Sequence, residues 1–403
     1  MAMSEFLPEP RELLERLRAL PAVDLLPGGG RVYVVGGAVR DLLLGGAPVD
    51  LDLVVEGDAE ALARSLGGTL TGHDRFGTAT VVLDGHTYDI ARSRRETYAH
   101  PGALPDVEPA PLADDLERRD FTVNAIALRL ADGDLRAAPG ALEDLEARRL
   151  RVLHDASFID DPTRLFRLVR YASRLGFEIE PHTLALAGAA IDGGALATVS
   201  GPRVGAELRL LAREEDPIAG FVALRELGLD RAVNPGFGLD DEALARRALE
   251  LLPSDARRDR LVLALAGRRV PAAELSRLLD AMAFEAEDRD VIVATAARAE
   301  EVARALAAAQ APSEIAAAAA DAPAELVAVA GALGPDSRAR DWLKTLRHVS
   351  LSIDGRDLLA AGVPEGPAIG RGLRAALAAK LDGRALSRED ELAEALGAAG
   401  AAQ

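Results

Sequence analysis

The spacing of apolar positions changes along the chain, and the change falls near residue 160. Before that point the apolar residues come in short blocks. Val32-Tyr33-Val34-Val35 is an uninterrupted run closed by Gly36-Gly37, the pattern of a buried strand ending in a turn. Val39 to Leu44 then reads as a helix, Val49 to Val55 as a second strand and Glu60 to Leu66 as a second helix. Residues 78–83 and 87–92 alternate as strands on either side of Asp84-Gly85-His86, a hairpin signal. Upstream, Arg11 to Leu20 reads as a short helix followed by a break at Gly28-Gly29-Gly30. A proline-rich loop is expected from Glu96 to Pro111, and Phe121 to Leu130 fits either period, with helix preferred.

From Asp160 the helical period runs to the end, with breaks near Pro202, Pro235-Gly236, Pro253, Pro271, Pro312 and Pro335. Residues 303–333 are close to low-complexity alanine, which reads as packed helices, and no repeat of fixed period is present. A compact α/β unit followed by a helical remainder makes the chain α+β.

Composition refines this picture. At 403 residues the chain exceeds what one core organises, so two or more domains are expected. Apolar residues are 49% but aromatics only 3%, so the cores must be built from Leu, Val and Ala. The absence of cysteine excludes disulfides, thiolate metal sites and cysteine nucleophiles. No secretory signal pattern and no membrane-length apolar run occur, so a cytoplasmic protein without membrane partners is expected. A net charge of −18 argues against indiscriminate nucleic-acid binding, though not against a local basic groove.

Candidate chemistry gathers in three segments. In the first, Gly36-Gly37-Ala38-Val39-Arg40-Asp41 is followed by Asp50-Leu51-Asp52. Residues two apart in a strand face one side, so Asp50 and Asp52 project together as hard oxygen donors suited to Mg²⁺. The glycine pair lets backbone approach a triphosphate at a helix start, and Arg40 offers a fork for phosphate oxygens. Either half alone also fits a tight turn or a solvated strand end. The second is Arg118-Arg119-Asp120-Phe121-Thr122-Val123-Asn124-Ala125, which fits a helix entry with charges in solvent, or Arg119 on phosphate and Asp120 near a ribose hydroxyl. The third is Asp160-Asp161-Pro162-Thr163-Arg164 onward. There Arg164, Arg167, Arg170 and Arg174 share roughly a third of a helix circumference, and Asp161 fits an N-cap with Pro162 at the first helical position.

These three segments, in this order, resemble the class II tRNA nucleotidyltransferase and bacterial poly(A) polymerase family, with near-complete matches over about residues 31–177. Ile353-Asp354-Gly355-Arg356-Asp357-Leu358-Leu359 through Gly366-Pro367-Ala368-Ile369-Gly370 resembles the family's tail. The resemblance implies a polymerase-beta-like nucleotidyltransferase head, a small mixed sheet with helices, followed by an all-helical neck, body and tail. It divides the chain into an N-terminal helical extension (1–30), the head (31–148), a neck with the nucleotide-templating helix (149–215) and a tRNA-binding body and tail (216–403). It implies that Asp50 and Asp52 hold Mg²⁺ and that Gly36, Gly37, Arg40, Arg119 and Asp120 contact the incoming nucleotide. Asp161 and Arg164 would read the base of CTP or ATP, Arg167 and Arg170 would complete the pocket, and Asp89 is a third candidate carboxylate. The partners implied are the 3′ end of tRNA, ATP and CTP; nothing in these residues fixes an oligomeric state.

Two departures stand out: Asp160 where the family usually has Glu, and Ala137-Ala138-Pro139-Gly140-Ala141 where an Asp before Gly-Gly is common. Gly72-His73-Asp74-Arg75-Phe76-Gly77-Thr78-Ala79 lacks the basic stretch typical of poly(A) polymerases, and the segment from Arg92 to Leu116 is not shortened as in CC-adding members. CCA addition is therefore the expected activity, with A-only or CC-only addition and poly(A) synthesis as alternatives. Two readings of other classes are a non-catalytic RNA-binding scaffold and a metal-dependent phosphohydrolase prompted by His154-Asp155.

Overall fold

A computed structural model of the chain describes residues 8–19, 26, 30–48, 51–67, 69–73, 78–83, 86–334 and 336–400. Asp50, Asp84, Gly85 and Pro335 lie outside the described residues. Two compact units are present, residues 1–200 with 227–232 and residues 201–226 with 233–403.

The first unit opens with α1 (Pro10–Arg18), which buries Leu13, Leu14 and Leu17. Strand β1 (Val32–Val35) leads through Gly36 into α2 (Gly37–Leu43) and β2 (Leu51–Val55). Helix α3 (Ala59–Ser65), capped by the Asp58 carboxylate, then precedes β3 (Thr69–His73), β4 (Thr78–Leu83) and β5 (His86–Arg92). A separate antiparallel pair, β6 (Arg94–Thr97) with β7 (Asp106–Pro109), occupies much of the segment expected to be bare loop. Its prolines sit at the end of β7 and in the connection, where no ladder amide is needed. Helix α4 (Leu112–Glu117) leads to β8 (Ile126–Arg129) and β9 (Leu135–Ala137).

Seven strands form one mixed sheet in the order β3-β4-β5-β2-β1-β8-β9. The pairing of β2 with β5 is parallel and the other pairings are antiparallel. The helix preferred for Phe121–Leu130 is not formed: Thr122–Asn124 make one 3-10 turn and the rest is β8. Ile126, Ala127 and Leu128 are fully buried between β1 and β9. A strand covered on both faces shows no alternation, so period alone could not separate it from a buried helix.

Helix α5 (Ala141–Glu146) starts after Gly140, whose φ of 79° puts it in the left-handed region. Next come β10 (Arg149–Leu150), α6 (Ser157–Asp160) and α7 (Arg164–Leu175), then β11 (Glu178–Ile179) pairing with β10, and α8 (Pro181–Asp192). In α7, Leu165, Phe166, Leu168 and Val169 are buried as the apolar stripe predicts.

The second unit is helical. Its alanine-rich part is explained by the helix Ala324–Leu333, in which Leu326 through Ala330 are fully buried. A helix apolar all round belongs in a core, and this one packs among Glu242–Leu251, Ala286–Ala308 and Asp336–Lys344. Small side chains let these backbones approach closely: a Cβ at Gly331 would collide with that of Ala339. The helical reading of residues 303–333 holds, with the fold class.

Candidate active site

Leu51, Leu53, Tyr88 and Ile90 are buried while Asp52 and Asp89 are exposed, so β2 and β5 present alternate residues to one open face of the sheet. Parallel register sets Asp52 directly beside Asp89. One strand further, Thr80 is opposite Asp89 and its hydroxyl donates to Asp89 Oδ1 at 2.7 Å. Two carboxylates therefore stand abreast on neighbouring strands. Sequence alone offers Asp89 only as a candidate, because the pairing of β2 with β5 is a tertiary fact. Two carboxylates on a solvent-facing surface are the hard oxygen donors that Mg²⁺ takes alongside waters and phosphates.

The glycine turn lies at the end of β1. Gly36 adopts φ 70°, ψ −135°, a conformation that essentially only glycine tolerates. Its amide donates to the Ile126 carbonyl at 2.9 Å, so this N–H faces β8 instead of a ligand. A Cβ there would also come within 3.0 Å of Arg119 Nη1. The Gly36→Ala variant is therefore expected to lose about 1–3 kcal/mol of stability to backbone strain and to displace Arg119. A lowered unfolding midpoint together with a raised KM for nucleotide would show both effects.

Arg40, expected to fork onto phosphate, is 1% exposed. Its Nε and Nη2 reach Asp41 Oδ1 at 2.8 and 2.7 Å, and its Nη1 donates to Asn124 Oδ1 at 2.6 Å. Gly37 lies against it, with a Cβ at that position 3.3 Å from Arg40 Nη2. Arg40 thus stands directly behind the turn.

Asp120 is 7% exposed and accepts four hydrogen bonds. Oδ1 takes the Phe121 amide at 2.8 Å and Asn124 Nδ2 at 3.0 Å, and Oδ2 takes Arg167 Nε and Nη2 at 2.8 and 2.5 Å. Burial alone would raise its pKa, but the Arg167 charge and the donated hydrogen bonds outweigh burial and hold it at about 2. Asn124 links this carboxylate to Arg40. Nothing in the residue-type pattern signals that linking role, although the residue stands in the same motif.

Arg119 lies beside the glycine turn and donates to Asp115 Oδ2 at 3.1 Å; its buried Nε has no hydrogen-bond partner. Asp115 is fully buried and also takes Arg118 Nε and Nη2 at 3.0 and 2.8 Å. Burial would raise the Asp115 pKa, but Arg119 and Arg118 overcome this and lower it. Arg118 further pairs with Glu96 on β6 at 2.7 Å. The spacing of three and four residues from Asp115 to the two arginines is a helix-neighbour signal that could have found it.

In the third segment the cap differs from expectation. Helix α7 starts at Arg164 after Thr163, so Pro162 precedes the helix and Asp161 is not its N-cap. The Asp161 carboxylate instead accepts from the Thr163 amide at 3.0 Å and hydroxyl at 2.6 Å, closing a turn just before the helix. Arg164 is 5% exposed and donates to Ser157 Oγ at 2.6 Å and the Arg118 carbonyl at 2.8 Å. Arg167 meets Asp120 as above, and Arg170 is buried beside Tyr171. His154 faces Asp160 at 3.9 Å, and His182 pairs with Asp155 at 2.9 Å. Among the described residues no three His, Asp or Glu side chains gather as a metal site.

The structure thus brings Gly36, Gly37, Arg40, Arg119, Asp120 and Arg167 together around the glycine turn and the start of α7. It joins Asp52 to Asp89 on the sheet face. A profile of the poly(A) polymerase head domain matches residues 32–151. The CC-adding tRNA nucleotidyltransferase of Deinococcus radiodurans is 37% identical over 89% of this chain and 87% of its own length. The A-adding tRNA nucleotidyltransferase of Geobacter sulfurreducens is 34% identical over 94% of this chain but only 47% of its own length. The chain spans about half or less of the A-adding relatives it matches. A solved apo form of a CCA-adding enzyme superposes with a TM-score of 0.81 at 29% identity over 98% of this chain and 97% of the other. The Thermotoga maritima CCA-adding enzyme complexed with tRNA gives 0.76 at 28% over 97% and 99%.

Fold and relatives together define a polymerase-type head carried on a helical remainder. The chain belongs to the tRNA nucleotidyltransferase family. Among the described residues no helix is long and apolar enough to cross a membrane.

Proposed function

We propose that this protein adds CMP and AMP from CTP and ATP to the 3′ end of tRNA that lacks part or all of its CCA terminus. The carrying observation is Asp52 beside Asp89 on an open sheet face. In the reaction the terminal 3′-oxygen forms a bond to the α-phosphorus of the nucleotide, the bond to the β-phosphate oxygen breaks, and pyrophosphate leaves. Asp52 and Asp89, with Asp50 two positions earlier, would hold Mg²⁺, which when bound supplies charge stabilisation for the attacking and leaving oxygens. Arg119 and the arginines of α7 would meet the triphosphate. Asp120 would sit near the ribose while holding Arg167. The relatives' complexes with CTP, ATP and tRNA are consistent with this reading. So is a division into head (31–148), neck (149–215), and body and tail (216–403) that carry the tRNA in the cytoplasm.

Asp161 and Arg164 would form the base-reading pair, an acceptor and a donor fork. Reading a base requires Arg164 to exchange Ser157 or the Arg118 carbonyl for acceptors on the base, and a mismatched base leaves that exchange unpaid by about 1–3 kcal/mol. Arg164→Ala is expected to reduce discrimination between CTP and ATP roughly ten- to hundredfold, measured as the ratio of kcat/KM values. Undiminished selectivity would remove the template role.

A-only addition is the second reading, favoured by the A-adding relatives at 34–44% identity. One experiment separates the activities. The protein is incubated with Mg²⁺, CTP and ATP and with tRNAs ending before CCA, after the first C or after CC, beside an unrelated RNA, and the products are sequenced. CCA on every tRNA supports the proposal; A on the CC-ended tRNA alone supports the second reading. CC alone would give the activity of the Deinococcus relative, and extension of any RNA by A would mean poly(A) synthesis. No incorporation would overturn nucleotidyl transfer.

A further inference from the structure

Tyr171 lies on α7 with its ring almost buried, edge-on to Phe121 at 5.9 Å. Four guanidinium carbons surround that one ring. Arg170 is 4.9 Å from its centroid, Arg174 5.1 Å, and Arg40 and Arg167 5.6 Å each. An arginine within about 6 Å of an aromatic centroid is attracted by the ring's quadrupole. Three of these arginines come from α7 itself, one turn to either side of Tyr171 and immediately before it. The fourth comes from α2, directly behind the glycine turn. Like charges brought this close repel one another, and the ring is the group all four share.

We infer that Tyr171 is a positioning residue that sets Arg167, Arg170 and Arg174 of α7 for the triphosphate of the incoming nucleotide, with the buried Arg40 bracing the ring from behind the glycine turn. This inference rests on the proposed nucleotidyl transfer. The choice of an aromatic ring has a physical logic. A carboxylate at the centre would gather the arginines as well, but it would cancel the charge that a triphosphate must meet. A neutral ring attracts guanidinium groups without adding a further negative charge to those of Asp41 and Asp120, which already pair with Arg40 and Arg167. The phenolic oxygen adds one contact, accepting from Arg167 Nη2 at 3.3 Å, so the effect belongs mainly to the ring. Phe121 braces the ring from the side, which ties the Arg119-Asp120-Phe121 segment to the arginine helix.

The test uses the full chain with inorganic tripolyphosphate as probe, its affinity read by calorimetry, alongside KM and kcat for CTP and ATP. Tyr171→Phe keeps the ring and is expected to bind tripolyphosphate within about twofold of the parent. Tyr171→Leu is expected to bind it about tenfold more weakly and to raise both KM values in proportion, with kcat at saturating nucleotide changing less. Tyr171→Met, whose flexible unbranched chain adapts to the space without a ring, is read the same way should the leucine variant not fold. Folded variants lacking the ring with unchanged tripolyphosphate affinity would overturn the inference, as would an equal loss in the Phe variant. Because this probe needs no tRNA, a parent protein that binds it tightly but extends no tRNA would sink the proposed reaction and leave the role of Tyr171 standing.

Discussion

Asp52→Asn is expected to lower incorporation of nucleotides into tRNA by about a thousandfold or more while the protein keeps its fold. The side chain is exposed on the open face of β2 and is not part of a packed core, so its removal leaves little to collapse. Charge stabilisation through a carboxylate-held metal is worth several kcal/mol, and each 1.36 kcal/mol is tenfold in rate. Asp89→Asn is expected to fall in the same direction, since register places it beside Asp52. Single-turnover incorporation at saturating nucleotide measures both, with circular dichroism as the control on folding. Near-normal rates in a folded Asp52→Asn protein would detach the two carboxylates from the chemistry.

Asp120→Ala is the variant for which the largest loss of stability is expected. Its removal takes the partner from a half-buried Arg167, frees Asn124 from one of its bonds and releases the Phe121 amide. Breaking a fully buried ion pair by deleting one member costs about 3–5 kcal/mol, and solvent around the half-buried Arg167 puts the loss here at or below the low end of that range. Asp120→Asn keeps the shape and is expected to lose less. The same carboxylate carries a pH dependence. Its folded pKa of about 2 lies below the ordinary value of 3.8, so its stabilising contribution is fully present above about pH 4 and disappears as pH falls towards 2. In the Asp120→Ala protein that part of the acid destabilisation should be missing. Chemical denaturation of parent and variant across pH 2 to 6 checks both statements, and parallel curves would show that Asp120 does not titrate in this way.

Much of the first unit was legible because its signals are local. Val32–Val35 closed by Gly36, strands around 78–92 and the apolar stripe of α7 all follow from period and punctuation in the chain itself. What escaped depended on partners distant in sequence. Ile126–Arg129 reads as helix because a strand covered on both sides loses its alternation. Residues 94–97 and 106–109 pair only with each other, around a proline-containing connection. In the site, the motifs named side chains but not their neighbours. Arg40 turned out to be buried against Asp41 and Asn124, and Asp120 to have its oxygens taken by protein groups. Asp115, Ser157 and Tyr171, which hold the arginines in place, carry no motif signal beyond their spacing to those arginines.

The parallel pairing of β2 with β5 has a bearing on how the chain can change length. Helix α3 and the strands β3 and β4 lie between the two, forming a long excursion whose ends are anchored on adjacent strands. Residues gained or lost within that excursion, outside its helix and strands, leave the anchored ends where they are. A single residue inserted inside β2 or β5 would instead rotate every following side chain to the opposite face of the sheet, turning one acid towards the interior. Descendants of this gene should therefore tolerate gaps between the two strands where they fall outside α3, β3 and β4, and almost never within β2 or β5.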